Sequence, residues 1–141
     1  MARRTDIIEA FIAHLGSNTD VLTANVYRVF KYLDDVNDFP AITFVPRRIE
    51  RDHRGAGRQM DVMGIDLRIY VYDGDTADIA AECERLAEQV ELAIDTFAAA
   101  NRALEVEEAR VATLRTDDGL MTPYGIADIQ LAITYEVEIT T

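Results

Sequence analysis

From Ala127 to Ile139 every odd-numbered residue is apolar: Ala127, Ile129, Leu131, Ile133, Tyr135, Val137 and Ile139. The even neighbours Asp128, Gln130, Thr134, Glu136 and Glu138 are polar. Successive side chains of a strand point to opposite faces, so this run predicts a strand with one covered and one wet face. A cover is at hand between Thr76 and Ala100, where Ile79, Cys83, Leu86, Val90, Ile94 and Phe97 step by three or four residues along one helical face. The opposite face carries Glu84, Arg85, Glu88, Glu91 and Asp95. At about 1.5 Å per residue this is a helix of roughly 36 Å, long enough to cross a whole sheet.

The rest of the chain supplies the other elements. Ile65, Leu67, Ile69 and Val71 alternate with Asp66, Arg68 and Tyr70, a second half-covered strand. Asp6 to Leu15 is an amphipathic helix burying Ile7, Ile8, Phe11, Ile12 and Leu15, with Thr5 or Asp6 as cap and Gly16 as its stop. Ser17 to Asp20 is a loop by composition, and Val26 to Leu33, rich in β-branched and aromatic residues, is a first strand. A polar turn from Asp34 to Pro40 leads to a strand at Ala41 to Val45, which Pro46 interrupts. Arg48 to Arg58, with Gly55 and Gly57 and almost nothing to bury, is a long hairpin tip or mobile loop. Arg110 to Thr116 is a strand and Asp117-Asp118-Gly119 a turn. The order helix, strand, strand, strand, helix, strand, strand predicts an α+β fold: a mainly antiparallel twisted sheet of about five strands with two helices packed on one face. With no linker, repeat or low-complexity tract, residues 1–141 are expected to form one domain.

Composition excludes several classes of function. The net charge of −12 opposes broad binding of a phosphate backbone, because nucleic-acid affinity rests largely on Lys and Arg displacing condensed counterions. The single cysteine, Cys83, forms no internal disulfide and supplies too few thiols for a structural zinc site. Met1 to Thr5 is followed by no long apolar run, and no segment approaches the roughly 20 apolar residues of a membrane span, so a soluble, unexported protein with no membrane partner is expected.

Catalytic chemistry has one candidate position. Tyr72-Asp73-Gly74-Asp75-Thr76 follows a strand and precedes a helix, and Asp73 and Asp75 are spaced so that they could hold a magnesium ion. The pattern departs from the Asp-x-Asp-x-Thr signature of haloacid-dehalogenase-type phosphatases, because Thr76 falls one residue early and the preceding strand alternates. The competing reading is a helix cap, with Asp75 or Thr76 accepting from free amides and easing the helix dipole. His14 and His53 have no nucleophile placed by motif beside them and read as packing or surface residues. Cys83 lies on the apolar helical stripe and behaves as a small hydrophobe. Asp34-Asp35 and Asp117-Asp118 are solvated turn carboxylates. No catalytic or metal-binding residue and no cofactor is assigned.

Two surface features point to contacts between proteins. The polar strand faces offer Asp66, Arg68, Tyr70 and Tyr72 on one strand and Asp128, Gln130, Thr134, Glu136 and Glu138 on another. A wet sheet face accounts for these without a partner, and a subunit interface is the second reading. Arg47, Arg48, Arg51, Arg54 and Arg58 hold five of the 14 basic residues in an otherwise acidic chain. Such segregation suits docking between copies, the basic arm of one on the acidic flank of the next. A solvated hairpin tip and a polyanion site are the alternatives.

The run Phe39-Pro40-Ala41-Ile42-Thr43-Phe44 and the polar loop after it, the strand from Gly64 to Tyr72, the long helix opening at Asp75-Thr76-Ala77-Asp78, and the closing strand after Pro123-Tyr124-Gly125 together resemble the minor tail and tail-terminator (tail-completion) proteins of long-tailed phages. The resemblance runs from Val26 to the end and rests on spacing, without a catalytic signature. It implies a non-enzymatic virion protein of the phage tail, assembled in the host cytoplasm as a hexameric ring on the last tail-tube ring. There it would halt polymerisation and offer a surface to the head-side connector. The partners so implied are other copies of the chain, the tail tube protein and the connector proteins, with genomic DNA passing through the lumen without specific binding. Six copies at −12 each would carry −72 in all, an acidic wall along which DNA slides. A neck or head-completion protein of the same virion is the nearer rival, and a magnesium-dependent phosphotransferase at Asp73 and Asp75 the more distant one.

Overall fold

The computed structural model describes residues 4–55, 58–73, 78–117 and 120–138, with side chains at all of these except 53–55, 58 and 138. Along the chain lie α1 (Arg4–Asn18), β1 (Val26–Tyr27), β2 (Ala41–Gly55), β3 (Arg58–Tyr72), α2 (Ile79–Ala100), β4 (Val106–Thr116) and β5 (Tyr124–Glu138). The strands form one sheet in the order β1-β2-β3-β5-β4, with β1 parallel to β2 and every other neighbour antiparallel. This is the expected α+β architecture, a mixed but mostly antiparallel five-stranded sheet with two helices packed against it.

Periodicity explains the layering. Met63, Ile65, Leu67 and Ile69 of β3 and Ala127, Ile129, Leu131, Ile133 and Tyr135 of β5 are buried, and the stripe of α2 closes over them through Cys83, Leu86, Val90, Ile94 and Phe97. Ala87 and Ala93 are buried on the same helix, and β5 comes close enough that a Cβ on Gly125 would sit 3.1 Å from that of Cys83. α1 completes the cover. Phe11 packs edge-on against Phe44 of β2 and Phe97 of α2, with ring centroids 5.5 and 5.4 Å apart. His14 Nε2 donates to the Ala93 carbonyl at 2.8 Å while its Nδ1 accepts from Asn18 Nδ2 at 3.2 Å, so it is a packing histidine that fastens α1 to α2. Asp20 adds a second tie through Arg85 Nη1 (2.6 Å) and Gln89 Nε2 (3.1 Å), and the Arg85 bond foremost lowers its carboxyl below the usual range.

Several boundaries differ from expectation. α1 does not stop at Gly16 but runs to Asn18; a Cβ at Gly16 would stand 1.9 Å from Thr23 Oγ1, so this glycine serves a close approach and not a helix end. The strand expected over Val26 to Leu33 shrinks to Val26–Tyr27. A parallel neighbour needs a crossover, and the chain leaves the sheet after Tyr27 to make it. The Tyr70 hydroxyl donates to the Lys31 carbonyl at 2.6 Å and the Lys31 ammonium lies 3.9 Å from the centre of the Tyr27 ring, which places this connection on the face opposite the helices. Pro46 does not end β2, because past Thr43 that strand lies at the sheet edge and a bulge between Pro46 and Arg48 absorbs the missing donor. The Arg48 to Arg58 stretch, where a mobile loop was one reading, continues the ladder of β2 and β3 to Gly55 and Arg58. α2 begins at Ile79, not Thr76, and its cap is Asp78, whose side chain accepts from Ala81 N at 3.3 Å; Asp75 and Thr76 lie outside the described residues.

Leu86 is 0% exposed at the middle of the α2 stripe. Leu86→Asp buries a carboxylate with no partner and should cost several kcal/mol, seen as loss of the cooperative melt in circular dichroism. Burial, followed by the charges of Asp117 and Glu84, pushes the Cys83 thiol from 9.0 up to about 11. Below pH 9 the thiol is neutral folded and unfolded, and above it the unfolded chain ionises first. Stability should therefore fall between pH 9 and 11, by about 2 kcal/mol in all. Urea melts across this range, compared with Cys83→Ala, measure that slope; an identical slope in the variant would remove the thiol as its source.

Candidate assembly surface

The sheet face free of helices is built from the even-numbered residues of β3 and β5 and the matching positions of β2 and β4. Register places Arg68 of β3 and Arg115 of β4 on either side of Asp128 of β5, and Thr113 beside Gln130. Arg68 donates from Nε to Asp128 Oδ1 at 2.5 Å and from Nη2 to Oδ2 at 3.1 Å, a two-point pair that raises the basicity of the guanidinium. The ring of Phe30 lies over the same guanidinium, 5.4 Å from its centre. Arg47 pairs with Asp66, and Thr113 Oγ1 donates to Gln130 Oε1 at 3.2 Å.

These groups line a groove of about 450 Å³ between the Phe30 segment and β4. Three arginines face two aspartates there, so the groove is net positive in a chain of net charge −12. Thr43 lines the groove too; it is 1% exposed, and its Oγ1 has no hydrogen-bond partner. At one end of the sheet Phe39, Tyr72 and Tyr124 cluster, with centroids 5.1 Å apart for the two tyrosines. Phe30 and Tyr32 form a second, edge-on pair at 5.1 Å. Exposed aromatic and arginine side chains interleaved in this way are the composition of protein interfaces.

The arginines of the hairpin are not one patch. Arg47 is the extra residue of the β2 bulge and turns into the groove, and Arg48, opposite Gly64, pairs with Glu50 at 2.8 Å. Arg51 stands opposite Asp61 on the helix side of the sheet, where Gln59 Nε2 donates to the buried Asp61 carboxylate at 2.7 Å. The side chains of Arg54, Arg58 and His53 lie outside the described residues. Phe30, Thr43 and Arg115 join the surface without having been singled out from the sequence. The alternation of Thr113 and Arg115 along β4 was the available signal for one of them.

Asp73 donates its backbone N–H to the Pro123 carbonyl at 3.2 Å, so it lies just past the end of β3 beside the residue that precedes β5. Among the described residues no group of three or more His, Cys, Asp or Glu side chains is placed to hold a metal ion; Asp75 is outside them.

The chain matches the family described as Bacteriophage Tail Tube Terminator Protein over residues 1–140. It is 25% identical to the tail tube terminator protein p142 of Escherichia phage T5, over 96% of this chain and 95% of that protein. In fold it is similar to a chain in the virion of the native gene transfer agent particle, with a TM-score of 0.57 at 10% identity and 96% of each chain covered. It is also similar to the PVC sheath/tube terminator of an extracellular contractile injection system in the extended state, with a TM-score of 0.50 at 15% identity, over 100% of this chain and 58% of that one. A two-layer α+β chain is thus matched along nearly its whole length, and it belongs to the bacteriophage tail tube terminator family, structural and not catalytic components of the phage tail.

Proposed function

We propose that copies of this chain, each a single unit over residues 1–141, close into a hexameric ring on the head-proximal end of the tail tube. The ring stops tube polymerisation and joins the tail to the head-side connector proteins. The observation that carries this reading is the family match along residues 1–140, and the similarity to the phage T5 tail tube terminator supports it. A terminator must add to a tube once and stop, which head-to-tail contacts closed by rotation achieve. The subunit offers what such contacts need, namely two unlike faces, one of helices and one of sheet. Assembly takes place in the host cytoplasm, and the genome passes through a lumen whose net negative charge keeps DNA from sticking.

The β2–β3 hairpin is the arm of this assembly. Arg47 and Arg51 put positive charge on opposite faces of the sheet, and together with Arg48, Arg54 and Arg58 they dock the hairpin on acidic surface of a neighbouring copy or of the tail tube.

Native mass spectrometry should show a hexamer, or a monomer that becomes hexameric on purified tail tubes; a stable dimer with no ring on tubes would contradict the reading. Reversing Arg51, Arg54 and Arg58 to Glu should leave the chain folded at a cost of about 1 kcal/mol, since Arg51 is exposed but its reversal sets a carboxylate opposite Asp61. The same variant should yield overlong tails, or heads and tails that fail to join, in electron micrographs of the phage. Normal tail length and infectivity would reduce the hairpin to a solvated tip.

A further inference from the structure

The outer face of α2 carries Glu84, Glu88, Glu91 and Asp95, each about one helical turn from the next, and no basic side chain among the described residues pairs with them. Arg85, the one arginine of that helix, is committed to Asp20 at 2.6 Å and Glu82 at 2.6 Å. Among these carboxylates stands Leu92, 65% exposed, an apolar side chain that nothing in the subunit covers. On the far side of the molecule the groove presents the reverse: Arg115 without an ion pair among the described residues, Arg47 and Arg68 beside it, and the exposed ring of Phe30.

We infer that the groove on the sheet face of one copy receives the acidic outer face of α2 from the next copy. This deepens the ring reading and rests on it. Three observations converge. The charges are complementary, four carboxylates against a groove in which arginine is in excess. The backbone spacings agree: Arg68 and Arg115 stand two strands apart, about 9.6 Å, and positions seven residues apart on a helix, such as Glu84 and Glu91, about 10.5 Å. Each face also leaves an apolar side chain uncovered, Leu92 at 65% exposure on one and Phe30 at 44% on the other. Because the two faces lie on opposite layers of the same subunit, the contact is heterologous, and its repetition generates a closed ring when the rotation allows.

Two variants test this. The first reverses the groove (Arg47→Glu with Arg115→Glu) and the second reverses the helix face (Glu88→Arg with Glu91→Arg). All four positions are exposed or half-exposed, so circular dichroism should show both variants folded. Each alone should need at least tenfold higher concentration than the unaltered chain to form rings by native mass spectrometry. Mixed in equal amounts they should assemble again, because each then carries the partner face the other requires, and the masses should show equal numbers of the two chains alternating in each ring. A chain with all four substitutions should likewise recover. Rings that form normally from either variant alone, or no recovery on mixing, would overturn the contact while leaving the ring itself standing. Rings that persist but no longer bind tubes would assign the groove to the tube subunit and overturn it as well. Failure of the unaltered chain to form rings, alone or on tubes, would instead overturn the ring.

Discussion

Burial of one side of β3 and β5 beneath α2 is the interaction on which the other features depend. Ile65, Leu67 and Ile69 lie beside Leu131, Ile129 and Ala127 in adjacent strands, and Leu86, Val90 and Ile94 close over this layer. A slip of one residue in either strand would carry Asp66, Arg68 or Asp128 under the helix and bring leucine and isoleucine to the surface. Register is therefore held by the hydrophobic pattern, and everything on the opposite face inherits its position from it.

That opposite face is free of the duty of packing helices, and its contents show it. Arg68 and Asp128 meet because their strands are neighbours in that register, and Arg115 flanks Asp128 from the other side for the same reason. The connection from β1 to β2 crosses this face and lays Phe30 over Arg68, so one wall of the groove is a crossover segment and not a strand. The bulge after Pro46 gives β2 one residue more than its partner and turns Arg47 toward Asp66. An edge strand interrupted by proline, a bulge and alternating charges is a poor template for adding another strand. Contacts through faces and through the hairpin arm suit such a subunit better than extension of the sheet.

The role in the tail asks for a subunit that adds to a tube and then stops. Its two layers are chemically opposite, an acidic helical one and a sheet with arginines and aromatics, and so present unlike surfaces. Interactions within the subunit hold the helical layer together: His14 on Ala93, and Asp20 on Arg85 and Gln89, fasten α1 and the segment after it to α2. Thus α2 can present carboxylates outward without depending on them for its own place in the fold.

Period-two alternation at Ala127 to Ile139 and at Ile65 to Val71, with the stripe from Ile79 to Phe97, was enough to establish strands, the long helix, their layering and the α+β class, because local periodicity reports directly on burial. The spacing of these elements also carried the resemblance to tail terminators, which the family match bears out. Local composition misled wherever a partner distant in sequence decides the outcome. Val26 to Leu33 has strand residues, but only Val26–Tyr27 finds a neighbour, and Phe30 and Tyr32 become surface instead. Arg48 to Arg58 has loop residues, but β5 runs beside β3 as far as Arg58 and holds the hairpin in a ladder. Asp66, Arg68, Tyr70 and Tyr72 read as one polar face and Asp128 and Gln130 as another; adjacency of β3 and β5 makes them a single surface. The arginines of the hairpin read as one cluster, and the bulge with the strand pleat sends Arg47 and Arg51 to opposite sides. Which faces are buried was thus set by periodicity within each segment, whereas which polar groups share a surface was set by strand order, register and one extra residue in β2, none of which any single segment encodes.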